Sequence, residues 1–270
     1  MKRIVFSLIV LSVVLFCIGP LLWQVVTSVK PDHELTRIPP ILPGDPTMIH
    51  YATIFGQQTF IRVIANSFVV ASLSTLFSVL FGSLAAFGLA KLRVVYKTFI
   101  LAFILSASLF PPIAIVSPLY LIIRSLSLRD TWWALIITYA SFSLPLSVWI
   151  LTSFFREIPD ELYLAARVDG CTPFQAFRRI LLPLAAPGIF TTAILVFIFS
   201  WNEFLFALTF TSTTASRTIP VAIALFPGMH EIPWGEIAAA SIVVTVPLVV
   251  LVLLFQRRII EGLTAGAVKG

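Results

Sequence analysis

Six apolar runs, separated by short polar interruptions, leave this chain few folds to choose from. They fall at about residues 4–29, 63–90, 98–123, 132–155, 184–210 and 236–256, each close to or above the roughly 20 apolar residues with which a helix crosses a bilayer core. Lipid offers the backbone no hydrogen-bond partners, so such runs fold as helices. With 59% hydrophobic and 11% charged residues over 270 positions and a mean hydropathy of +1.03, the chain is too apolar for a water-soluble domain of this size. The expectation is an all-α, multi-pass membrane protein whose six spans form one domain over residues 1–270.

The polar signals order these spans. Lys2 and Arg3 precede a first run that is too long for the apolar core of a signal peptide and lacks a small-x-small cleavage pattern, so it reads as an uncleaved span. Residues 30–62 are polar and hold Pro31, Pro39, Pro40, Pro43 and Pro46; they are expected to form an extended external loop with at most one short helix near residues 50–55. In the second run Ser74, Ser78, Gly82, Ala86 and Ala90 recur at every fourth position. That period places a stripe of small residues on one helix face, where a neighbouring helix can approach closely. Phe110-Pro111-Pro112 and Pro118 interrupt the third run, which must kink or break; a pathway-lining break and a simple packing kink both fit. The fourth run opens on the interfacial pair Trp132-Trp133 and is expected to kink at Pro145. Gln256, Arg257 and Arg258 stop the sixth.

The net charge of +6 does not point to nucleic acid, because the basic residues sit beside apolar runs. Lys2, Arg3, Lys91, Arg93, Lys97, Arg156, Arg167, Arg178, Arg179, Arg257, Arg258 and Lys269 fall on one side of the implied topology, against Lys30, Arg37, Arg62, Arg124, Arg129 and Arg217 on the other. The excess puts both termini in the cytoplasm.

The longest polar interruption in the second half, residues 157–183, carries Glu157, Asp160, Glu161, Arg167, Asp169, Arg178 and Arg179 and must lie outside the lipid. It reads as two short amphipathic helices. Asp169-Gly170 supplies the turn between them, since glycine tolerates the left-handed backbone that ends a helix. Thr172 is placed to cap the second helix, with Pro173 at its first position and Gln175 three residues after the cap. Phe174, Phe177, Arg178 and Leu181 fall near one face.

This stretch resembles the EAA loop of ABC importer membrane subunits: Glu-Ala-Ala, three residues, Gly, nine residues, Ile, one residue, Leu-Pro. Ala165, Ala166, Gly170, Ile180, Leu182 and Pro183 stand at the matching positions. Leu164 departs from the pattern by replacing the glutamate, and Glu161 places a carboxylate one turn earlier. The tail from Gly262 to Gly270, Asn66-Ser67 and Trp201-Asn202-Glu203 extend the likeness over the whole chain, which is similar to the maltose-permease type G subunits of carbohydrate ABC importers. The resemblance implies a type I importer fold and a cytoplasmic coupling helix. It also implies an obligate complex of this chain with a second, different permease, two copies of an ATP-binding subunit and an external sugar-binding protein.

On that likeness Ala165, Ala166, Asp169 and Gly170 form the docking turn, with Ile180 and Pro183 closing the motif; Glu161 joins them as a coupling candidate on its position one turn before Leu164. Phe174 and Phe177 fill apolar space on the ATPase, while Arg178 or Arg179 meets its acidic rim. Thr264, Gly266 and Lys269 belong to a tail that reaches between the ATPase subunits. ATP is bound by the partner, so this chain needs no cofactor and catalyses no reaction.

Trp201, Asn202 and Glu203 are the candidates for sugar contact, because carbohydrate sites combine aromatic faces with amides and carboxylates. A carboxylate within an apolar run is costly and marks a functional position by default. Glu203 falls in the outer half of its span, so a structural role at the external mouth and a contact to substrate both stand.

No GxxxxGK[ST] run occurs, so a nucleotide is not cradled by that route. His33, His50 and His230 lie apart without ligand spacing, and no metal site is expected. Cys17 and Cys171 lie in different environments and are not expected to pair. A di- or oligosaccharide is the expected substrate, with glycerol-phosphate, polyol or peptide as alternatives. A self-contained secondary carrier would need its own ion site and paired broken helices, of which the sequence offers one Pro-broken span.

Overall fold

The computed structural model describes residues 2–35, 41–226 and 232–264. From the N-terminus, α1 (Lys2–Ser28) leads through the short α2 (Asp32–Leu35) and α3 (Ile49–Gly56) into α4 (Gln58–Lys91). Next come α5 (Lys97–Ala107), α6 (Pro112–Ser125) and α7 (Trp132–Glu157). A hairpin follows, made of α8 (Asp160–Val168), α9 (Pro173–Ala176), a π turn (Phe177–Leu181) and α10 (Leu182–Leu184). The chain then continues through α11 (Ala186–Asn202), α12 (Leu205–Phe210), α13 (Ile219–Ala224) and α14 (Trp234–Thr264).

Four helices, α1, α4, α7 and α14, are long and apolar enough to cross a membrane unaided. Two bent pairs, α5 with α6 at 86° and residues 173–184 with α11 at 78°, bring the number to as many as six if each pair is one span. The third run therefore breaks outright. Pro111 takes an extended backbone (φ −61°, ψ 127°) and Pro112 starts α6, where its missing N–H costs no intrahelical bond. Pro118 and Pro145 are carried inside α6 and α7, and neither ends its helix.

The fifth run departs from expectation by breaking at Glu203-Phe204, between α11 and α12. The basic residues after Gln256 end the apolar span but not the helix, because α14 continues to Thr264.

The helix α4 packs mainly on α7 and α11. Its small stripe faces α7: Ser78 Oγ lies 2.8 Å from Ser147 Oγ, and Ser74 Oγ donates to the Ile136 carbonyl at 3.4 Å. A Cβ on Gly82 would sit 2.7 Å from Ser147 Cβ, so the backbones meet at a distance that only glycine allows. The helix α1 rests chiefly on α14, and its apolar window is otherwise uncovered.

At the α4 N-terminal end, Asn66 Nδ2 donates to the carbonyls of Thr214 and Arg217 at 3.1 and 2.9 Å, and Ser67 Oγ accepts from the Ile219 amide at 2.8 Å. These bonds tie the loop before α13 to α4. Asp130, at φ 60°, gathers the same loop by accepting from the amides of Ser212 and Thr213 and from the hydroxyls of Thr213 and Ser216. Burial pushes the Asp130 carboxyl up, yet these four bonds outweigh it and hold the group well below the usual carboxylate range.

Candidate functional site

The hairpin between α7 and α11 is fixed from both sides of its turn. Gly170 adopts φ +84°; its amide donates to the Arg167 carbonyl at 3.3 Å, and the Cys171 amide reaches the Ala166 carbonyl at 3.0 Å. These are the two bonds of a Schellman C-cap. Two residues later Thr172 and Gln175 form the reciprocal capping box: Gln175 N donates to Thr172 Oγ1 at 3.2 Å and Thr172 N donates to Gln175 Oε1 at 2.8 Å. Arg167 Nη1 adds a bond to the Cys171 carbonyl at 2.6 Å. The turn consequently has little freedom to open without breaking several bonds at once.

Below the turn the hairpin is seated on the bundle. Phe177 is 4% exposed, with its ring 5.1 Å from that of Phe87 on α4 and 6.0 Å from that of Phe155 on α7. Ala166, Ala176 and Leu181 are buried with it. Lys91, at the end of α4, donates to the Ile158 carbonyl and to Asp160 Oδ1. That hydrogen bond first, and then the charges of Lys91 and Lys97, hold the Asp160 carboxyl below its ordinary value. The hairpin is thus attached to two membrane helices through an aromatic cluster and a lysine clamp.

This seating corrects one expectation. Phe177 cannot fill space on a partner, because it is consumed within the chain's own core. Phe174 is 59% exposed and is free to do so. Leu164 and Val168, one turn apart on α8, are also exposed, Val168 at 86%. Together with Phe174 they give the hairpin an apolar outer face that sequence reasoning did not assign. The signal was available: large apolar residues in a segment that must lie outside lipid have no reason to be there unless something covers them.

Glu161, Ala165, Asp169, Gly170, Arg178 and Pro183 are exposed, Ala166 is buried and Ile180 is half-buried. In the tail, Thr264 is the last residue of α14, while Gly266 and Lys269 lie outside the described residues.

The Trp201-Asn202-Glu203 segment is divided by the helix break. Trp201 is 3% exposed, stacked on Phe197 at 5.6 Å and packed with Ile54, Phe60 and Ile219. It is a core residue, which removes it from the candidates for sugar contact. Asn202 is exposed, with Nδ2 donating back to the Ile198 carbonyl at 2.8 Å. Glu203 is extended (φ −67°, ψ 129°), and its carboxylate accepts from the amides of Phe206 at 2.9 Å and Ala207 at 3.2 Å. The cost of a carboxylate in an apolar run is offset here by the free N–H groups and positive dipole end of α12. The helix α12 packs on α6, and between them opens a cavity of about 440 Å³ lined by Val116, Ser117, Tyr120, Leu121 and Thr209.

Residues 78–264 match the family described as binding-protein-dependent transport system inner membrane component. The chain is 45% identical to the trehalose transport system permease protein SugB of Mycobacterium tuberculosis, over 96% of this chain and 94% of that one. It is 44% identical to the sulfoquinovosyl glycerol transport system permease protein SmoH of Agrobacterium fabrum, over 93% and 88%. To the trehalose/maltose transport system permease protein MalG of Thermococcus litoralis it is 41% identical, over 100% and 98%. Among solved structures, a bacterial ABC transporter involved in the import of alginate superposes with a TM-score of 0.83 over 95% of both chains at 20% identity, a likeness of fold. The chain therefore belongs to the binding-protein-dependent transport system inner membrane component family, as a multi-pass permease that translocates rather than catalyses.

Proposed function

We propose that this chain is one permease of an ATP-driven importer for a di- or oligosaccharide, and that the hairpin is its link to a separate ATPase. The observation that carries the reading is the hairpin itself: a rigid turn that offers Leu164, Val168 and Phe174 outward while Phe177 and Lys91 fasten it to α4 and α7. Such a part transmits displacement. ATP closes an ATPase dimer beneath the hairpin, the hairpin moves with it, and α4 and α7 follow as one body. With six crossings, both termini lie on the hairpin side, in the cytoplasm. The partners are a second, non-identical permease, two ATP-binding subunits and an external sugar-binding protein.

The sugar class rests on relatives at 41–45% identity named for trehalose and maltose transport. Within the chain, the hydroxyls of Ser117, Tyr120 and Thr209 supply polar groups along the α6/α12 cavity, and Glu203 braces the helix that carries Thr209. A second reading, a sugar linked to glycerol, is favoured by the 44% identity to the sulfoquinovosyl glycerol permease.

The test is to purify the tagged chain from its host in mild detergent and assay the complex for ATP hydrolysis, with the external binding protein and each candidate solute. Co-purifying activity that rises with trehalose or maltose supports the first reading, and a rise only with glycosyl glycerols supports the second. A chain that purifies alone, hydrolyses nothing and still carries solute in vesicles overturns both.

A further inference from the structure

We propose that Asp32, His50 and Glu236 form a binding site for one borderline divalent cation of the zinc type, at the end of the bundle opposite the hairpin. The sequence separates these residues widely, but the fold brings one donor atom from each to within 4.8 Å of the others. They come from α2, α3 and the first turn of α14.

His50 is fully buried. Its Nε2 lies 2.7 Å from the Lys30 carbonyl, which can only accept, so Nε2 carries a proton and Nδ1 is the nitrogen turned toward Glu236. A histidine whose far nitrogen is committed to a backbone carbonyl has the arrangement typical of a metal ligand, because that bond fixes both tautomer and ring orientation. Nδ1 is buried without a hydrogen-bond partner, as is Glu236 Oε2. Nδ1 also stands 3.5 Å from Glu236 Oε1. Nδ1 and the Glu236 carboxylate face each other in a buried place, and such a pair is held together only by a proton or a metal ion between them.

The site has been given room. A Cβ on Gly235 would come within 2.2 Å of the His50 ring, so only glycine lets the imidazole lie against the start of α14. Asp32 carries the third donor: its Oδ1 stands 4.0 Å from Nε2, and its side chain, 79% exposed, has the freedom to turn toward Nδ1 and leaves a route in from solvent. One imidazole nitrogen with two carboxylates suits zinc-type ions better than calcium or magnesium, which prefer all-oxygen shells. Water completes the coordination. The bound ion ties the chain after α1 to α3 and α14.

The test uses the full-length chain in the complex purified from its host and placed in nanodiscs. The sample is stripped with chelator, incubated with Zn²⁺, dialysed, and its metal counted by mass spectrometry. Wild type is expected to retain one Zn²⁺ per chain more than His50→Gln, and Glu236→Gln to bind at least tenfold more weakly. Asp32→Asn, at an exposed position, is expected to weaken binding several-fold with metal-free melting unchanged, so it remains informative if the buried variants fail to fold. Cu²⁺ loaded in place of Zn²⁺ is expected to give an electron paramagnetic resonance spectrum split by a single nitrogen. Equal Zn²⁺ in wild type and all three variants overturns the proposal. So does a wild-type melting temperature that responds to pH but not to Zn²⁺, since the pair would then share a proton instead of an ion.

Discussion

At the scale of single residues, Gly170 holds the turn of the hairpin at a positive φ, and the capping box of Thr172 and Gln175 continues from it on its own backbone. Gly170→Pro locks φ near −65° where +84° is needed and removes the N–H that reaches the Arg167 carbonyl. Uptake driven by ATP is expected to fall at least tenfold in cells that still insert the protein, and normal uptake would rule out the coupling role. For Trp201, nothing in its neighbours along the chain says which helix face turns inward, so a core residue looked like a sugar platform. Glu203 was recognised as exceptional, but its partners, the amides of Phe206 and Ala207, appear only once the helix breaks. Glu203→Ala should lower stability by about 1–2 kcal/mol, the usual cost of a lost N-cap. Glu203→Gln, which keeps an acceptor, should lose less than half of that in a thermal-melting assay. If the two variants melt alike, the carboxylate is not acting as a cap.

At the scale of elements, periodicity gave helices their faces but not always the right ones. Phe174 and Phe177 are three apart and fall on one side of an ideal α-helix. Their rings do stand side by side, with centroids 6.1 Å apart, but that face runs from the bundle core out to the surface. Phe177 is buried against α4 and α7, and Phe174 stays outside. The two phenylalanines should then separate stability from docking. Phe177→Ala is expected to cost about 3–5 kcal/mol, the range for deleting a buried ring, and to depress the melting temperature of the isolated chain. Phe174→Ala should leave melting nearly unchanged, within about 0.5 kcal/mol as for other exposed positions. It should nonetheless reduce recovery of ATPase activity with the purified chain. A Phe174→Ala variant that retains full ATPase activity and uptake would show that the apolar outer face is not the docking surface.

At the scale of the whole molecule, the apolar runs foretold a bundle of helices because lipid leaves the backbone no alternative, and four of the described helices are long and apolar enough to cross unaided. What they could not foretell is which helix meets which. The small stripe on α4 announced a close contact, yet only the fold reveals that its partner is α7, with Ser147 set against Gly82. That contact carries the proposed mechanism, because the hairpin is fastened to both helices and moves them together only if they remain packed. Gly82→Val puts a branched side chain where even one carbon would lie 2.7 Å from Ser147 Cβ. Overpacking of this kind costs about 1–3 kcal/mol, and the expected result is a lower melting temperature with uptake reduced at least in proportion. Ser147→Gly removes the opposing Cβ, so the double variant Gly82→Ala with Ser147→Gly should melt higher than Gly82→Ala alone, a non-additive recovery that only residues in contact produce. Strict additivity between the two sites would mean that α4 and α7 do not meet there, and the rigid-body account of coupling would lose its foundation.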